Sequence, residues 1–231
     1  MDINTLTVYE SPYPKERIGK DNDGGYVVAK VPGLSYKLCL AGGVCDDISF
    51  EEHFCEMYPG IVCYAFDGTV DAPPPIHHPQ LHFVRQNIGA RNTADCTNLH
   101  DLMESYDDIF LKMDIEGHEI PWFLSLDSKH MDSMSQMVVE FHFPFSLLET
   151  IVFDKINRTH ILIHFHANNN CGVRRIDENM VVPNVFECTY LHKKHFTSEP
   201  KLNRTPIPSE LDMPNVSTKD EICLTRPPFV H

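Results

Sequence analysis

No stretch of this 231-residue chain approaches the roughly 18 consecutive apolar residues that a membrane-spanning helix requires, so none is expected. The opening segment, MDINTLTVYESPYPKER, lacks the apolar core of a secretory signal, and export is not expected either. Basic residues are scarce: 19 Lys and Arg stand against 33 Asp and Glu, a formal net charge of −14. Nucleic acids and anionic lipid surfaces are bound by clustered cations, so neither is expected as a partner. A neutral or cationic small molecule, or a glycan, is the easier substrate to accommodate. The eight cysteines (39, 45, 55, 63, 96, 171, 188 and 223) contain no C-x-x-C pair. Cys39, Cys63 and Cys188 fall in apolar runs, where a reduced Cys acts as a small hydrophobe, and a reducing cytoplasm is the expected compartment. Sequons at Asn157, Asn203 and Asn215 carry little weight beside that. There is no internal repeat and no charge block.

What the chain does have is an alternation of short apolar runs with amphipathic stretches, the pattern of βαβ units in a mostly parallel sheet. Strands are predicted at Tyr36–Ala41, Ile61–Phe66, Leu81–Val84, Ile109–Met113, Met137–Phe141, Ile161–Phe165 and Val185–Tyr190. Several are apolar on both faces, as buried parallel strands are. A helix of about 10 residues is predicted after the first strand, with Asp47 or Ser49 as its cap and Ser49 to Glu52 at capping-box spacing. Further helices are expected at Thr97–Tyr106, Glu119–Leu126 and Ser146–Ile156. Asp71–Pro79, with three consecutive prolines, reads as an extended connection. The chain reads as one domain over residues 1–231, with a Pro-rich surface tail at 196–231 in which Ile222–Leu224 is a candidate edge strand.

Five motifs carry chemistry. In LCLAGGVCDD, Gly42 and Gly43 follow a buried strand, where glycine lets a ligand approach the backbone. The six-residue dinucleotide fingerprint is absent. Asp67 ends the second strand, 25 residues after Gly42, near the ~20 expected for an acid that binds ribose hydroxyls. A turn Asp before Gly68 is the plain alternative. Asn87 stands where an adenine edge is often met. In LKMDIEGHE, Asp114 lies at the carboxyl edge of the sheet, with Glu116, His118 and Glu119 in the same turn. Glu140 and His142 of VVEFHFP share one strand face and converge on Asp114. That trio suits Mg²⁺ or Mn²⁺, a proton-transfer dyad, or a purely structural polar cluster. His164, His166, Asn168 and Asn169 of ILIHFHANNN suit the rim of a polar substrate pocket.

Together RIGKDNDGGYVVA, AGGVCDDISFEE, CYAFDGT, LKMDIEGHEIPWF, HFHANN and FECTYL resemble the FkbM-like branch of S-adenosylmethionine-dependent methyltransferases, a group with members in large DNA viruses and members that modify sugars. The resemblance implies a Rossmann-like class I methyltransferase fold: a seven-stranded, mostly parallel sheet with helices on both faces and the last strand antiparallel. It implies that S-adenosylmethionine is held by Asp23, Gly24, Gly25, Tyr26, Gly42, Gly43, Asp67, Gly68, Asn87 and Asp114, with residues 1–35 as a covering segment. The turn reads Gly42-Gly43-Val44-Cys45 where the family often has G-x-G, and His118 replaces a small or aromatic residue. The expected activity is O-methylation of a sugar or glycan hydroxyl, in the host cytoplasm for a viral member. His142 and Asp114 are the expected catalytic residues, His118, His166 and Asn168 the substrate contacts, and Asp114, Glu140 and His142 the metal set if a metal is used. A non-sugar small molecule or a protein side chain as acceptor, a metal-dependent hydrolase and a silent cofactor-binding module remain the alternatives.

Overall fold

A computed structural model of the chain describes residues 2–71, 74–178 and 180–231. Ala72 and Pro73 of the expected proline-rich connection lie outside the described residues, and 74–78 has no regular structure. The chain opens with an antiparallel hairpin of β1 (Lys15–Ile18) and β2 (Tyr26–Ala29). Then come β3 (Leu38–Gly42), α1 (Ser49–Met57), β4 (Val62–Phe66), β5 (Leu81–Val84) and a short parallel pair, β6 (Asn87–Ile88) with β7 (Cys96–Thr97). The second half holds α2 (His100–Ser105), β8 (Ile109–Met113), α3 (Glu119–Ser125), α4 (Ser128–Ser133), β9 (Met134–His142), α5 (Leu147–Thr159) and β10 (His160–Ala167). It closes with the hairpin β11 (Val173–Arg175) and β12 (Val181–Pro183), and finally β13 (Val185–His192).

Seven strands form one sheet in the order β10-β13-β9-β8-β3-β4-β5. β13, the last in sequence, runs antiparallel to both neighbours, and every other pairing is parallel. All seven strands expected from the apolar runs are present. The chain leaves β3 toward β4 and β5, then returns to place β8 on the other side of β3. That reversal opens a crevice at the carboxyl ends of β3 and β8, where open α/β sheets bind ligands.

Side-chain alternation divides the core between the two sheet faces. On one face Cys39, Ala41, Cys63 and Ala65, small residues, leave room for the rings of Phe50 and Phe54 on α1 and for Tyr26 on the hairpin. On the other, Leu38, Leu40, Leu111, Val139 and Phe141 meet Trp122 and Phe123 of α3 and Val152, Phe153 and Ile156 of α5. The eight cysteines are all free thiols. No helix among the described residues is long and apolar enough to cross a membrane.

Several local expectations are corrected. The Ser49–Glu52 capping box does not form: Ser49 is the first helical residue, Asp47 Oδ1 accepts its N–H at 3.1 Å, and Glu52 accepts from His77 N instead. α2 starts at His100 rather than Thr97, because Cys96–Thr97 pairs with β6 and Leu99 takes a left-handed φ of 65°. Ile222–Leu224 is not an edge strand; only Leu224 bridges, to Ile207, and the sheet ends at β10 and β5. Pro206 and Pro208 flank Ile207 and cannot donate to a ladder. Nor is the tail only a surface wrap, since Ile207, Leu224 and Phe229 are buried in the main core. It is fastened by Asn203, whose amide donates to Thr205 O and Phe229 O, both at 2.9 Å. Near the other terminus Asn157 Nδ2 donates to Thr5 O at 2.7 Å.

Candidate active site

At the crevice, β3 ends in Gly42 and the chain turns at Gly43 with φ +74°. A Cβ on Gly43 would sit 1.5 Å from the backbone oxygen of Asp114, so only glycine lets the ends of β3 and β8 touch. Gly43 N donates to Phe66 O at 3.0 Å and Asp114 N to Gly42 O at 3.1 Å, which ties three strand ends together. Past β4, Asp67 Oδ2 accepts from Cys45 N at 2.8 Å, and Oδ1 accepts from the backbone and hydroxyl of Thr69 at 2.7 and 2.6 Å. Burial pushes the Asp67 carboxyl up, but these hydrogen bonds outweigh it and hold the group below the usual carboxylate range, an anion at neutral pH. Asn87 Oδ1 accepts from Gly68 N at 3.2 Å.

These groups wall a cavity of about 710 Å³, lined among others by Asp23, Gly24, Tyr26, Gly43, Asp67 and Asn87. Gly25, Gly42 and Gly68, expected at the cofactor, are not among its lining residues. The β1–β2 loop contributes Lys20, Asp23 and Gly24 to the lining. Lys20 pairs with Asp47 at 3.1 Å and its N–H reaches Ser49 Oγ at 3.0 Å. Arg17 donates to Asn22 O within the loop. A Cβ on Gly25 would lie 2.2 Å from Lys20 O, which explains the double glycine. The tail braces the same loop: Asn215 Nδ2 donates to Asp23 Oδ1 at 3.3 Å and to Glu187 Oε1 at 3.0 Å.

Sequence reasoning did not find the buried pair beneath the cavity. Lys112 Nζ lies 3.4 Å from Glu51 Oε1, donates to Gly43 O at 3.3 Å, and stands 5.4 Å from the centre of the Tyr26 ring. Burial opposes the Lys112 charge, but Glu51 and Asp114 outweigh it and raise its pKa. An inward charge pair on a strand and a helix leaves no local sequence signal; only the fold brings 51 and 112 together.

Next to the cavity the structure gathers Asp114, Glu116, Glu119, Glu140 and His142. Nε2 of His142 has three carboxylates around it: Glu116 at 3.4 Å, Glu140 at 3.6 Å and Asp114 at 3.7 Å. Its Nδ1 faces Glu119 Oε1 at 3.2 Å. Glu119, fully buried, also accepts from Ile115 N and Gly117 N, so the turn itself holds it. For His142, burial lowers the pKa, but the hydrogen bond and charge of Glu119, with Asp114 and Glu116, outweigh it and raise it. Burial drives the Asp114 carboxyl up against the pull of Lys112 and His142. Glu140 is driven well up by burial, then by the charges of Asp114 and Glu187. Tyr26 donates to Asp114 Oδ2 at 3.0 Å, and Asn168 to Glu140 Oε1 at 2.8 Å.

The expected set Asp114, Glu140 and His142 is therefore brought together. However, among the described residues the three whose ligand atoms all come within 4.8 Å of one another are Asp114, Glu119 and His142, with Glu119 in place of Glu140. His118 is exposed at the start of α3 and lines the cavity. His166 is corrected: it is 1% exposed and clamped between Glu187 at 3.4 Å and Glu221 at 3.3 Å, so it lines no open rim. Burial opposes its charge, yet the two carboxylates push its pKa up to about 10. His164 pairs with Asp212 at 2.7 Å, and Asn169 Nδ2 donates to Val216 O and Lys219 O. These three residues hold the tail rather than a ligand.

A seven-stranded, mostly parallel sheet with its last strand reversed is the class I methyltransferase fold. The profile of the Methyltransferase FkbM domain matches residues 8–172, and the chain belongs to that family. Membership implies S-adenosylmethionine as cofactor. No curated protein matches the chain. Two solved structures show a distant similarity to the chain. One, a candidate rRNA methylase from Clostridium thermocellum, is 9% identical with a TM-score of 0.37, over 69% of this chain and 88% of that one. The other, the 16S rRNA methyltransferase KamB, is 9% identical with a TM-score of 0.33, over 78% of this chain and 100% of that one.

Proposed function

We propose that the protein is an S-adenosylmethionine-dependent O-methyltransferase acting on a hydroxyl of a sugar or other neutral small molecule. One observation carries the reading: a glycine-walled cavity is lined at its inner end by Asp114, and behind Asp114, at 3.7 Å, stands the His142 imidazole held by the buried Glu119. The cavity fits the donor. Its volume suits a nucleoside-sized ligand, the close contact at Gly43 keeps the strand ends free of side chains, and Asp67 is an anion suited to ribose hydroxyls. Bound there, S-adenosylmethionine supplies a methyl group already activated on a sulfonium. Asn87 is suited to the base edge, Asp23, Gly24 and Tyr26 to closure above it, and Asp114 to the inner end.

Because the methyl group needs no activation, the chain's task is to orient the acceptor and receive its proton. Glu119 accepts from the Nδ1–H of His142 and leaves Nε2 as the basic nitrogen, turned toward the cluster. The acceptor proton passes to Nε2. Asn168 and His118 flank the space an acceptor would take. An acidic cleft in a chain of net charge −14 favours a neutral acceptor over nucleic acid. Titration with S-adenosylhomocysteine by calorimetry tests the donor half, with micromolar binding expected. No detectable binding would sink the reading. Transfer of labelled methyl to a panel of glycans and polyols tests the acceptor half.

A second reading rests on the crowding at His142. The Asp114, Glu119 and His142 set is suited to Mg²⁺ or Mn²⁺, which would lower the pKa of an acceptor hydroxyl. Activity abolished by a chelator and restored by Mg²⁺ selects this reading; activity unchanged by a chelator selects the imidazole.

A further inference from the structure

Both partners of the buried pair beneath the cavity stand among apolar neighbours. Glu51 falls on the buried face of α1 with Phe50, Phe54 and Cys55. Lys112 shares a face of β8 with Phe110, and its register partner on β3 is Ala41, whose small side chain leaves it room. Glu51 is 0% exposed and Lys112 4%, yet both line the cavity. The fold leaves the pair incomplete. Among the described residues neither Oε1 nor Oε2 of Glu51 has a hydrogen-bond partner, although Oε1 lies 3.4 Å from Lys112 Nζ. Lys112 donates to Gly43 O at 3.3 Å, and an ammonium has more donors than that. Burial pushes the Glu51 carboxyl up against the pull of Lys112. A buried ion pair that only joins two elements is stable when further hydrogen bonds satisfy its remaining lone pairs and protons. Here those bonds are missing, and what adjoins the pair is the cavity.

We propose that Glu51 and Lys112 together bind the amino-acid end of the donor: the Glu51 carboxylate accepts from its α-ammonium, and the Lys112 ammonium donates to its α-carboxylate. A zwitterion suits the pair because it brings one opposite charge to each partner and leaves the buried charge balanced. A simple anion or cation would oppose one of the two. The position agrees with the rest of the cavity. Lys112 meets the Gly43 turn on one side and Glu51 on the other, while Asp67, proposed for the ribose, follows β4, across β3 from β8. The pair is thus a specificity device, separating a nucleoside that carries an amino acid from one that does not. This inference rests on the methyltransferase reading and adds the residues that select its donor.

Calorimetry on the whole chain with two nucleosides tests it: S-adenosylhomocysteine, which has the amino-acid end, and methylthioadenosine, which lacks it. Wild type is expected to bind the first at least about 100-fold more tightly. Glu51→Gln should weaken S-adenosylhomocysteine by roughly tenfold to 100-fold and leave methylthioadenosine within about twofold. That single change strands the Lys112 charge, so a second variant combines Glu51→Gln with Lys112→Met and removes both charges at similar volume, which buried pairs tolerate. It should melt near wild type and bind the two nucleosides within about threefold of each other. Equal affinities in wild type, or a double variant that keeps the wild-type preference, overturn the assignment. Loss of both ligands and of a cooperative melt in both variants also overturns it, by making the pair a clamp between α1 and β8. A wild type that binds neither nucleoside overturns the methyltransferase reading itself, and the assignment with it.

Discussion

The two halves of the cleft are held open by different means. The half proposed for the donor is shaped by backbone: glycines at strand ends, peptide N–H groups that fix Asp67, and the hairpin loop beside them. The half proposed for the acceptor is shaped by charge, with four carboxylates, one imidazole and a phenol packed where strand ends meet. Backbone cradles tolerate little change in volume but are insensitive to pH. Charge clusters tolerate changes of shape but answer to every proton. One half therefore reports on sterics, the other on titration.

The sharpest way to break this contrast is Gly43→Ala. A Cβ at 1.5 Å from Asp114 O, at positive φ, should cost about 3 kcal/mol or more and abolish donor binding, read by thermal melting and calorimetry. A variant that still binds S-adenosylhomocysteine would mean that the crevice is not the donor site. Next in size, His142→Ala should lower kcat by roughly 10²–10⁴-fold while the donor Kd stays within about twofold. An equal loss in both would place His142 in the donor half.

Glu119→Gln should act on titration rather than shape. Glu119 raises the His142 pKa, and a base works only when deprotonated, so wild-type activity rises with pH through that raised pKa. Removing the charge moves the acidic limb of the profile to lower pH and lowers the maximum by about tenfold through lost orientation. A limb that stays in place would separate Glu119 from the proton transfer.

The smallest effect belongs to the tail clamp. The folded pKa of His166 is raised to about 10, so its pairing stabilises the fold fully below the unfolded value of about 6.5, and this contribution is lost as pH climbs toward 10. In melts from pH 6 to 10, His166→Asn should flatten that decline by a few degrees in Tm, with turnover little changed. Altered turnover at constant stability would return His166 to the substrate.

Much of the sheet was legible because runs such as Leu38–Ala41 are apolar on both faces, as buried parallel strands are. β1 and β2 were less legible: KERI shows no strand alternation, and the pair is stabilised by packing on α1 and the sheet. Around the cavity, the placement of Asp67, Asp114 and His142 at the carboxyl edge could be read because each ends or directly follows an obvious strand. Glu119 was visible only as one charge in a crowded turn, since its role depends on the turn folding its carboxylate back under His142. His166 misled for the opposite reason. Alternation placed it on the right face, but its true partners, Glu187 and Glu221, lie 21 and 55 residues further along the chain.

The tail's fastening has a consequence for how the chain can be made. Asn157, Asn203 and Asn215 each head an N-x-S/T triplet, and in each the amide nitrogen that would receive an oligosaccharide is already a donor in the fold. Asn203 and Asn215 are also buried. In a secretory host, sugar attachment would compete with tail docking at Asn203 and Asn215, and with the bond to Thr5 at Asn157. Material produced there would divide into an unglycosylated, closed population and a glycosylated one with the tail undone and the β1–β2 loop unbraced. Bacterial or cytosolic expression avoids that race.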